Sequence, residues 1–164
     1  MIFVTLGSQK FQFDRLLIEL DRLVEKEVLT EPIFAQIGYS TYQPQQYEYQ
    51  KFLDHQVFNQ KLNQCDLLIT HGGSGAIVNA LKMKKKVIAV PRLVKFNEHV
   101  DNHQEEIVDL FKNLNYIEAV YDIQNLGPAV SKTVMESFEY FQSNSEAVID
   151  EIEAFIIKNR RVAP

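Results

Sequence analysis

The feature that most constrains the fold is the alternation of short apolar runs with segments of helical periodicity. Residues 2–6, 33–37 and 66–70 form apolar runs of strand length, each bounded by Gly, Pro or polar residues. Between residues 13 and 24, apolar side chains recur at intervals of three and four, as on the buried face of a helix. Strands that alternate with helices are typical of an α/β domain. We therefore predict one domain, residues 1–164, with a Rossmann-like parallel sheet and helices on both faces.

The same periodicities predict the remaining elements. Further strands are expected near residues 47–52, 87–90 and 116–120, and further helices near 58–62, 76–82 and 101–111. Two helices, at 123–141 and 146–157, complete the chain. Neither an internal repeat nor a linker interrupts this pattern.

The composition excludes several classes of protein. The chain contains 17 Lys and Arg residues and 22 Asp and Glu residues, which gives a net charge of −5. This negative charge argues against a nucleic-acid partner. Cys65 is the only cysteine, so an internal disulfide framework is impossible. No apolar run approaches the roughly 18 residues of a membrane-spanning helix, and the amino terminus lacks the basic region of a signal peptide. We expect a soluble, cytoplasmic protein.

A glycine-rich turn is the strongest local motif. His71, Gly72, Gly73, Ser74 and Gly75 lie between a predicted strand and a predicted helix. Glycines allow close approach of a ligand, and the first amides of a helix bind anions, so the turn is suited to a diphosphate. Ser74 is predicted to cap the helix and to donate its hydroxyl to the same anion. The alternative is a tight turn that binds nothing. Neither GxxxxGK[ST] nor GxGxxG is present, so neither ATP hydrolysis nor a dinucleotide is indicated.

Three polar loops are predicted to meet at one edge of the sheet. They are residues 7–9, the turn at 71–75 and the segment 91–104, and each follows a strand. Ligands of parallel sheets bind outside the carboxyl ends of the strands, so these loops are expected to form one site.

The segment 91–104 concentrates hydrogen-bonding side chains. Arg92 and Lys95 could offset phosphate charge, and donors and acceptors for sugar hydroxyls are supplied by His99, Asp101, Asn102 and Gln104. The alternative is that Asn97 or Asp101 caps the following helix while the rest is solvated. Both can hold at once.

Other chemistries fit the sequence less well. His99 and His103 have the i, i+4 spacing of a shared metal, but HExxH and a cysteine partner are absent, and we expect no metal. Ser74 is not in the GxSxG turn of a hydrolase nucleophile. Cys65 is expected to be a core thiol.

The motifs resemble the C-terminal, donor-binding half of the GT-B glycosyltransferases of family 28. The resemblance is carried by residues 71–75, 90–92 and 98–104. Residues 4–8 and 13–17 resemble the free-standing members, in which this half is a separate subunit. These members include the PssE or EpsF type of bacterial capsule and exopolysaccharide synthesis. They also include the soluble subunit of the eukaryotic two-part N-acetylglucosamine transferase.

The resemblance implies half of an enzyme. A UDP-sugar would lie on this half, with its pyrophosphate at the turn 72–75 and its ribose at Asn79. The donor sugar would be met by Asp101, Asn102 and Gln104, and Ser8 would face the cleft. His71, Arg92 and His99 are the further candidates for diphosphate or sugar contacts. GT-B enzymes use no bound metal, so no cofactor is expected beyond the donor itself.

The resemblance also implies a partner. The catalytic base and the site for a lipid-linked acceptor would belong to a membrane-anchored subunit that recruits this chain to the inner face of the membrane. Within this chain, His99 is the candidate base. The reaction that the resemblance implies is the transfer, with inversion, of a hexose (galactose, glucose or an N-acetyl form) to the lipid-linked acceptor in exopolysaccharide or capsule synthesis.

Two departures from the family pattern leave alternatives open. Where the family has a Glu that holds the ribose, this chain has Asn79, which loses the charge-assisted hydrogen bond. The alternative function is therefore that of a non-catalytic activating or scaffold subunit with weakened nucleotide binding. A homo-oligomer is also compatible with the sequence. Before the next strand the chain has Lys84, Lys85 and Lys86, which could favour a helix C-terminus or contact an anionic surface.

Overall fold

Six parallel strands form the centre of the protein. The computed structural model describes residues 1–141. The strands are β1 (Ile2–Thr5), β2 (Ile33–Gln36), β3 (Glu48–Gln50), β4 (Leu67–His71), β5 (Lys86–Val90) and β6 (Glu118–Ala119). Their order in the sheet is β3-β2-β1-β4-β5-β6, with every neighbouring pair parallel. The predicted Rossmann-like parallel sheet is confirmed.

Helices cover both faces of this sheet. They are α1 (Asp14–Glu25), α2 (His55–Gln64), α3 (Ser74–Lys82), α4 (His103–Asn113) and α5 (Leu126–Met135). Two 3₁₀ turns, Val94–Phe96 and Ile123–Asn125, precede α4 and α5.

The core divides into two apolar clusters, one on each side of the sheet. Successive strand residues point to opposite faces, so Val4 belongs to one cluster while Phe3 belongs to the other. The first cluster holds the buried apolar side chains of α1 and α5, and the second holds those of α2, α3 and α4. Because each central strand is apolar on both faces, the sheet is buried between two helical layers.

The last described helix is shorter than predicted. Instead of one helix over residues 123–141, a 3₁₀ turn leads into α5, which ends at Met135, and Glu136 has the extended angles φ −80° and ψ 153°. Lys86 donates from Nζ to the carbonyls of Thr133, Val134 and Glu136 at this end. The side chain of Phe141 then packs edge-on against Tyr116 at 5.4 Å. The predicted helix at 146–157 lies outside the described residues.

The strand order creates a switch point between β1 and β4. After β1 the chain adds β2 and β3 on one side of β1, and it then crosses over to add β4 on the other side of β1. Thr5 is in register with Thr70, and His71 with Val90. The loops after β1, β4 and β5 therefore leave the same edge side by side, which is where ligands of such sheets bind.

Candidate functional site

Helix α3 begins at Ser74, two residues before the predicted start at residue 76. Gly73 is the N-cap residue, with φ −75° and ψ 122°, and Ser74 is the first residue of α3. In the described part of the chain, no side chain caps this end. The prediction that Ser74 caps the helix is therefore wrong, because Ser74 lies within the first turn.

Two of the amides in the turn already have side-chain partners. Gly72 donates its N–H to Oε1 of Gln104 at 2.9 Å, and Gly73 donates to Nδ1 of His71 at 3.0 Å. The first helical bond runs from the Ile77 N–H to the Gly73 carbonyl. Within residues 1–141, the amides of Ser74, Gly75 and Ala76 have no such acceptor. The unpaired donors of the turn are therefore at the start of α3.

The glycines of the turn differ in the space around them. A Cβ on Gly73 would lie 2.1 Å from Cε1 of His71, so a side chain there would displace the imidazole. A Cβ on Gly75 would have no non-neighbouring atom of the described residues within 4 Å. Gly73 is required by the packing of the turn, whereas Gly75 leaves open the approach to the unpaired amides.

His71 lies between the ends of β1 and α3. A Cβ on Gly7 would come within 2.6 Å of its Nε2, so glycines flank the ring on both sides. Burial, together with the positive charge of Arg92, lowers the pKa of His71 to about 4, against the weaker effect of a hydrogen bond with Gln104. The imidazole is therefore neutral near pH 7. Because Nδ1 accepts the Gly73 N–H, its proton lies on Nε2.

An open groove of about 330 Å³ runs along α3. It is lined by Ser74, Gly75, Val78, Asn79 and Lys82. Two residues of the predicted pyrophosphate turn and the predicted ribose contact, Asn79, thus share one surface.

The segment 91–104 folds back on itself at the same edge. Asn102 accepts the Val94 N–H on Oδ1 at 3.0 Å. Asp101 accepts the His103 N–H on Oδ1 at the start of α4. The N-cap residue of this helix is nevertheless Asn102, so neither Asn97 nor Asp101 occupies the capping position that was the alternative to ligand binding. Asn97 ends the 3₁₀ turn in the left-handed conformation, with φ 58°.

His99 joins this segment to the loop after β1. Its Nε2 lies 3.0 Å from Oε1 of Gln9, and its Nδ1 lies 3.0 Å from Asp101. Its ring also contacts that of Phe11, with centroids 5.2 Å apart. Ser8 is exposed on the same loop. Gln9 lies in the loop 7–9 that the sequence placed at this edge, whereas the sequence analysis missed Phe11, because only its packing against His99 connects it with the site.

Arg92 and Gln104 are placed differently from the sequence prediction. Arg92 is 1% exposed, and its guanidinium donates to the carbonyls of Leu6, Phe11, Gln12 and Glu98. It is therefore enclosed and unable to offset phosphate charge in this arrangement. Gln104 is buried too, and its side-chain oxygen accepts the backbone N–H of Arg92 in addition to that of Gly72.

An aromatic pair at this edge also escaped the sequence analysis. Tyr39 and Phe52 follow β2 and β3, their ring centroids lie 5.1 Å apart, and both side chains are nearly half exposed. A Cβ on Gly38 would lie 2.8 Å from the Gly7 carbonyl oxygen and 4.0 Å from Phe52, which places the pair beside the loop after β1. The sequence did contain a signal for this pair, because Tyr39 and Phe52 flank the polar stretch 40–51.

Metal-binding side chains do not cluster in the described part of the chain. Among residues 1–141, no group of three His, Cys, Asp or Glu could hold an ion. His99 contacts Asp101, whereas His103 pairs with Glu106.

Comparison with known proteins identifies the family. Residues 1–159 match the sequence profile of the glycosyltransferase family 28 C-terminal domain. The chain belongs to this family. The resemblance found in the motifs is thus confirmed, and the domain is a glycosyltransferase donor-binding domain.

Relatives of this family 28 domain include a yeast subunit. The chain is 39% identical over 54 residues to the UDP-N-acetylglucosamine transferase subunit ALG13 of Candida glabrata. The match covers 33% of this chain and 25% of that protein, well under two thirds of the relative's length.

Solved structures share the fold of this family 28 domain. MurG of Acinetobacter baumannii superposes with a TM-score of 0.56 at 17% identity, over 82% of this chain and 41% of that one. The glycosyltransferase of kitacinnamycin gives 0.57 at 16% identity, over 98% and 39%. The fold is therefore that of one half of a GT-B glycosyltransferase. Within residues 1–141, no helix combines the length and apolarity needed to cross a bilayer.

Proposed function

We propose that this chain is the UDP-sugar-binding subunit of a two-component, inverting glycosyltransferase. The observation that carries the proposal is the row of unpaired amides at Ser74, Gly75 and Ala76, which lies at the switch point of the sheet. A helix N-terminus with free N–H groups favours a phosphate, and membership of family 28 supplies the class of donor.

The pyrophosphate would bind at the start of α3. Gly75 leaves the approach open, and the neutral His71 offers an N–H from Nε2 on the side of Gly7. These fixed donors would stabilise the negative charge of the departing UDP without a metal ion.

The nucleoside would extend along the groove of α3. Asn79 lines that groove and carries an amide that can bind a ribose hydroxyl. The exposed aromatic pair of Tyr39 and Phe52 lies at the same edge and offers a surface on which a base could stack.

The sugar would meet the segment 91–104. Asp101 and Asn102 are exposed there, while Gln104 has only its side-chain nitrogen left, because its oxygen binds Gly72 and Arg92. Galactose, glucose and their N-acetyl forms are the candidate sugars. The name of the yeast relatives makes N-acetylglucosamine the first to test.

The acceptor would belong to a second component. This domain would form one wall of a GT-B cleft, because its fold matches about two fifths of each compared glycosyltransferase. We propose that a membrane-anchored partner binds a lipid-linked saccharide, supplies the catalytic base and recruits this chain to the inner face of the membrane. His99 is the candidate base within this chain. A role in bacterial exopolysaccharide or capsule synthesis is part of the same proposal.

Calorimetric titration tests the donor site directly. UDP and a panel of UDP-sugars are titrated into the purified protein, with GDP and ATP as controls. The informative variant is Gly75→Asp, because among residues 1–141 a Cβ there has no non-neighbouring atom within 4 Å, and a carboxylate in the first turn does not weaken the helix. Gly75→Asn has the same shape without the charge. Uridine-selective binding that is lost in Gly75→Asp and kept in Gly75→Asn supports the proposal, and equal affinities in both variants contradict it.

A non-catalytic scaffold subunit is the second candidate. It is favoured by Asn79 in place of an acidic residue and by the engagement of the Gly72 and Gly73 amides with side chains. Titration of the complex with the co-expressed partner separates the two functions. Binding that appears only in the complex indicates a site completed by the partner, whereas no binding in either sample indicates the scaffold.

A further inference from the structure

A largely buried cluster of charged residues joins the loop after β1 to the segment 91–104. We call it the Glu98 cluster, and it consists of Arg15, Arg92 and Glu98. Arg15 lies in α1, whereas Arg92 and Glu98 lie in the segment after β5. The cluster therefore connects the start of α1, which follows the loop after β1, with the segment expected to meet the donor sugar.

Glu98 makes the central contacts of the cluster. Its side chain is 1% exposed; Oε1 accepts from Nε of Arg15 at 2.7 Å, and Oε2 accepts the Leu93 N–H at 3.0 Å. Arg15 also donates to the Pro91 carbonyl at 2.7 Å. The carboxylate thus fixes the segment at Leu93 and ties it to α1. Buried charge-assisted bonds of this kind have defined geometry.

Arg92 extends the cluster to the loop between β1 and α1. Its guanidinium binds the carbonyls of Leu6, Phe11 and Gln12 and that of Glu98. The guanidinium carbons of Arg15 and Arg92 each lie 5.0 Å from the centre of the Phe13 ring. The two loops are therefore held in one relative position by buried and partly buried contacts.

The residues that follow Glu98 are those expected to meet the sugar. His99 is next in the chain and contacts Gln9 in the loop after β1. Asn102 accepts the N–H of Val94, and Glu98 accepts the N–H of the preceding residue, Leu93. A shift of Glu98 would therefore move His99 and Asn102 relative to the start of α3.

We propose that Glu98 is a positioning residue that sets the sugar-contacting segment against the diphosphate-binding turn. The inference rests on the proposed function and adds a division of labour. The amides of α3 would provide affinity for UDP, whereas the Glu98 cluster would provide the additional affinity for the attached sugar.

The test compares the affinities for UDP-sugar and for UDP. The variants are Glu98→Gln, which keeps the shape and removes the charge, and Arg15→Lys, which keeps a cation but cannot bridge Glu98 and Pro91. Arg22→Lys is the matched control, since Arg22 lies in the same helix and pairs with Glu19 through two bonds. Amide hydrogen exchange of residues 91–102 is measured without ligand on all four proteins.

We expect both test variants to bind UDP-sugar about tenfold more weakly, with UDP affinity changed by less than about twofold. Amides in 91–102 should exchange faster in both, and the control should match the wild type. An unchanged UDP-sugar to UDP ratio in both variants would overturn the positioning role, as would an equal loss for the two ligands. If the wild type bound no uridine nucleotide, the proposed function itself would fail, and unchanged exchange would then refute the structural role of Glu98 separately.

Discussion

Gln104 accepts the backbone N–H of Gly72 on its side-chain oxygen at 2.9 Å, and the same oxygen accepts the N–H of Arg92 at 3.1 Å. One buried amide thus joins α4 to the ends of both β4 and β5. A residue expected to contact sugar from solvent instead shapes the turn that would hold the diphosphate.

Replacing Gln104 should destabilise the protein. Gln104→Ala leaves two buried N–H groups without an acceptor, so the free energy of unfolding should fall by about 1–3 kcal/mol in urea denaturation. Gln104→Glu retains an acceptor and should lose less stability. It also places a negative charge beside the turn and should weaken UDP binding more than Gln104→Ala does. A smaller destabilisation by Gln104→Ala than by Gln104→Glu would contradict this assignment.

His71 should make stability dependent on pH. Its pKa in the folded protein is about 4, below the ordinary value of 6.5, so the unfolded chain binds a proton first as pH falls. The resulting stability is present above pH 6.5 and decreases toward pH 4, by at most about 3 kcal/mol. His71→Gln should flatten the curve of unfolding free energy in this window. An imidazole NMR signal of His71 that titrates near pH 6.5 would refute the prediction.

The run of three lysines should have unequal effects on stability. Lys86 donates to three carbonyls at the end of α5, and Lys85 donates to the carbonyls of Asn63 and Cys65 at the end of α2. Lys84 is exposed, and its Nζ lies 5.0 Å from the Tyr140 ring. Lys86→Met should lower the midpoint of urea denaturation by the equivalent of about 1–3 kcal/mol, whereas Lys84→Met should change it by less than about 0.5 kcal/mol. Equal effects would indicate that the cap on α5 does not contribute.

Asn79 should limit nucleotide affinity. In the groove of α3, Asn79→Glu would offer a charged acceptor to a ribose hydroxyl. We expect UDP affinity to rise about tenfold, and Asn79→Gln, the neutral control of equal length, to bind like the wild type. Weaker binding by Asn79→Glu would mean that the ribose lies elsewhere.

The fold could be predicted from the sequence because its signals are local. Apolar spacing within α1 and the short runs of β1 and β4 indicate a parallel α/β sheet without knowledge of any distant contact. The motifs at 71–75 and 98–104 similarly identified the family. The end of α5 could not be found in this way, because it depends on Lys86, which lies 47–50 positions earlier in the chain.

The sequence by itself determined the parallel sheet, the glycine-rich turn, the edge where the loops meet and the family. Only the tertiary structure decided what individual polar side chains do there. Arg92 and Gln104 have the chemistry of ligand contacts, yet Arg92 binds the Leu6 carbonyl 86 positions away, and Gln104 binds Gly72 from 32 positions away. The pairing of β1, β4 and β5 brings those backbone groups within reach, and a buried side chain must satisfy the donors and acceptors around it before it can bind a ligand.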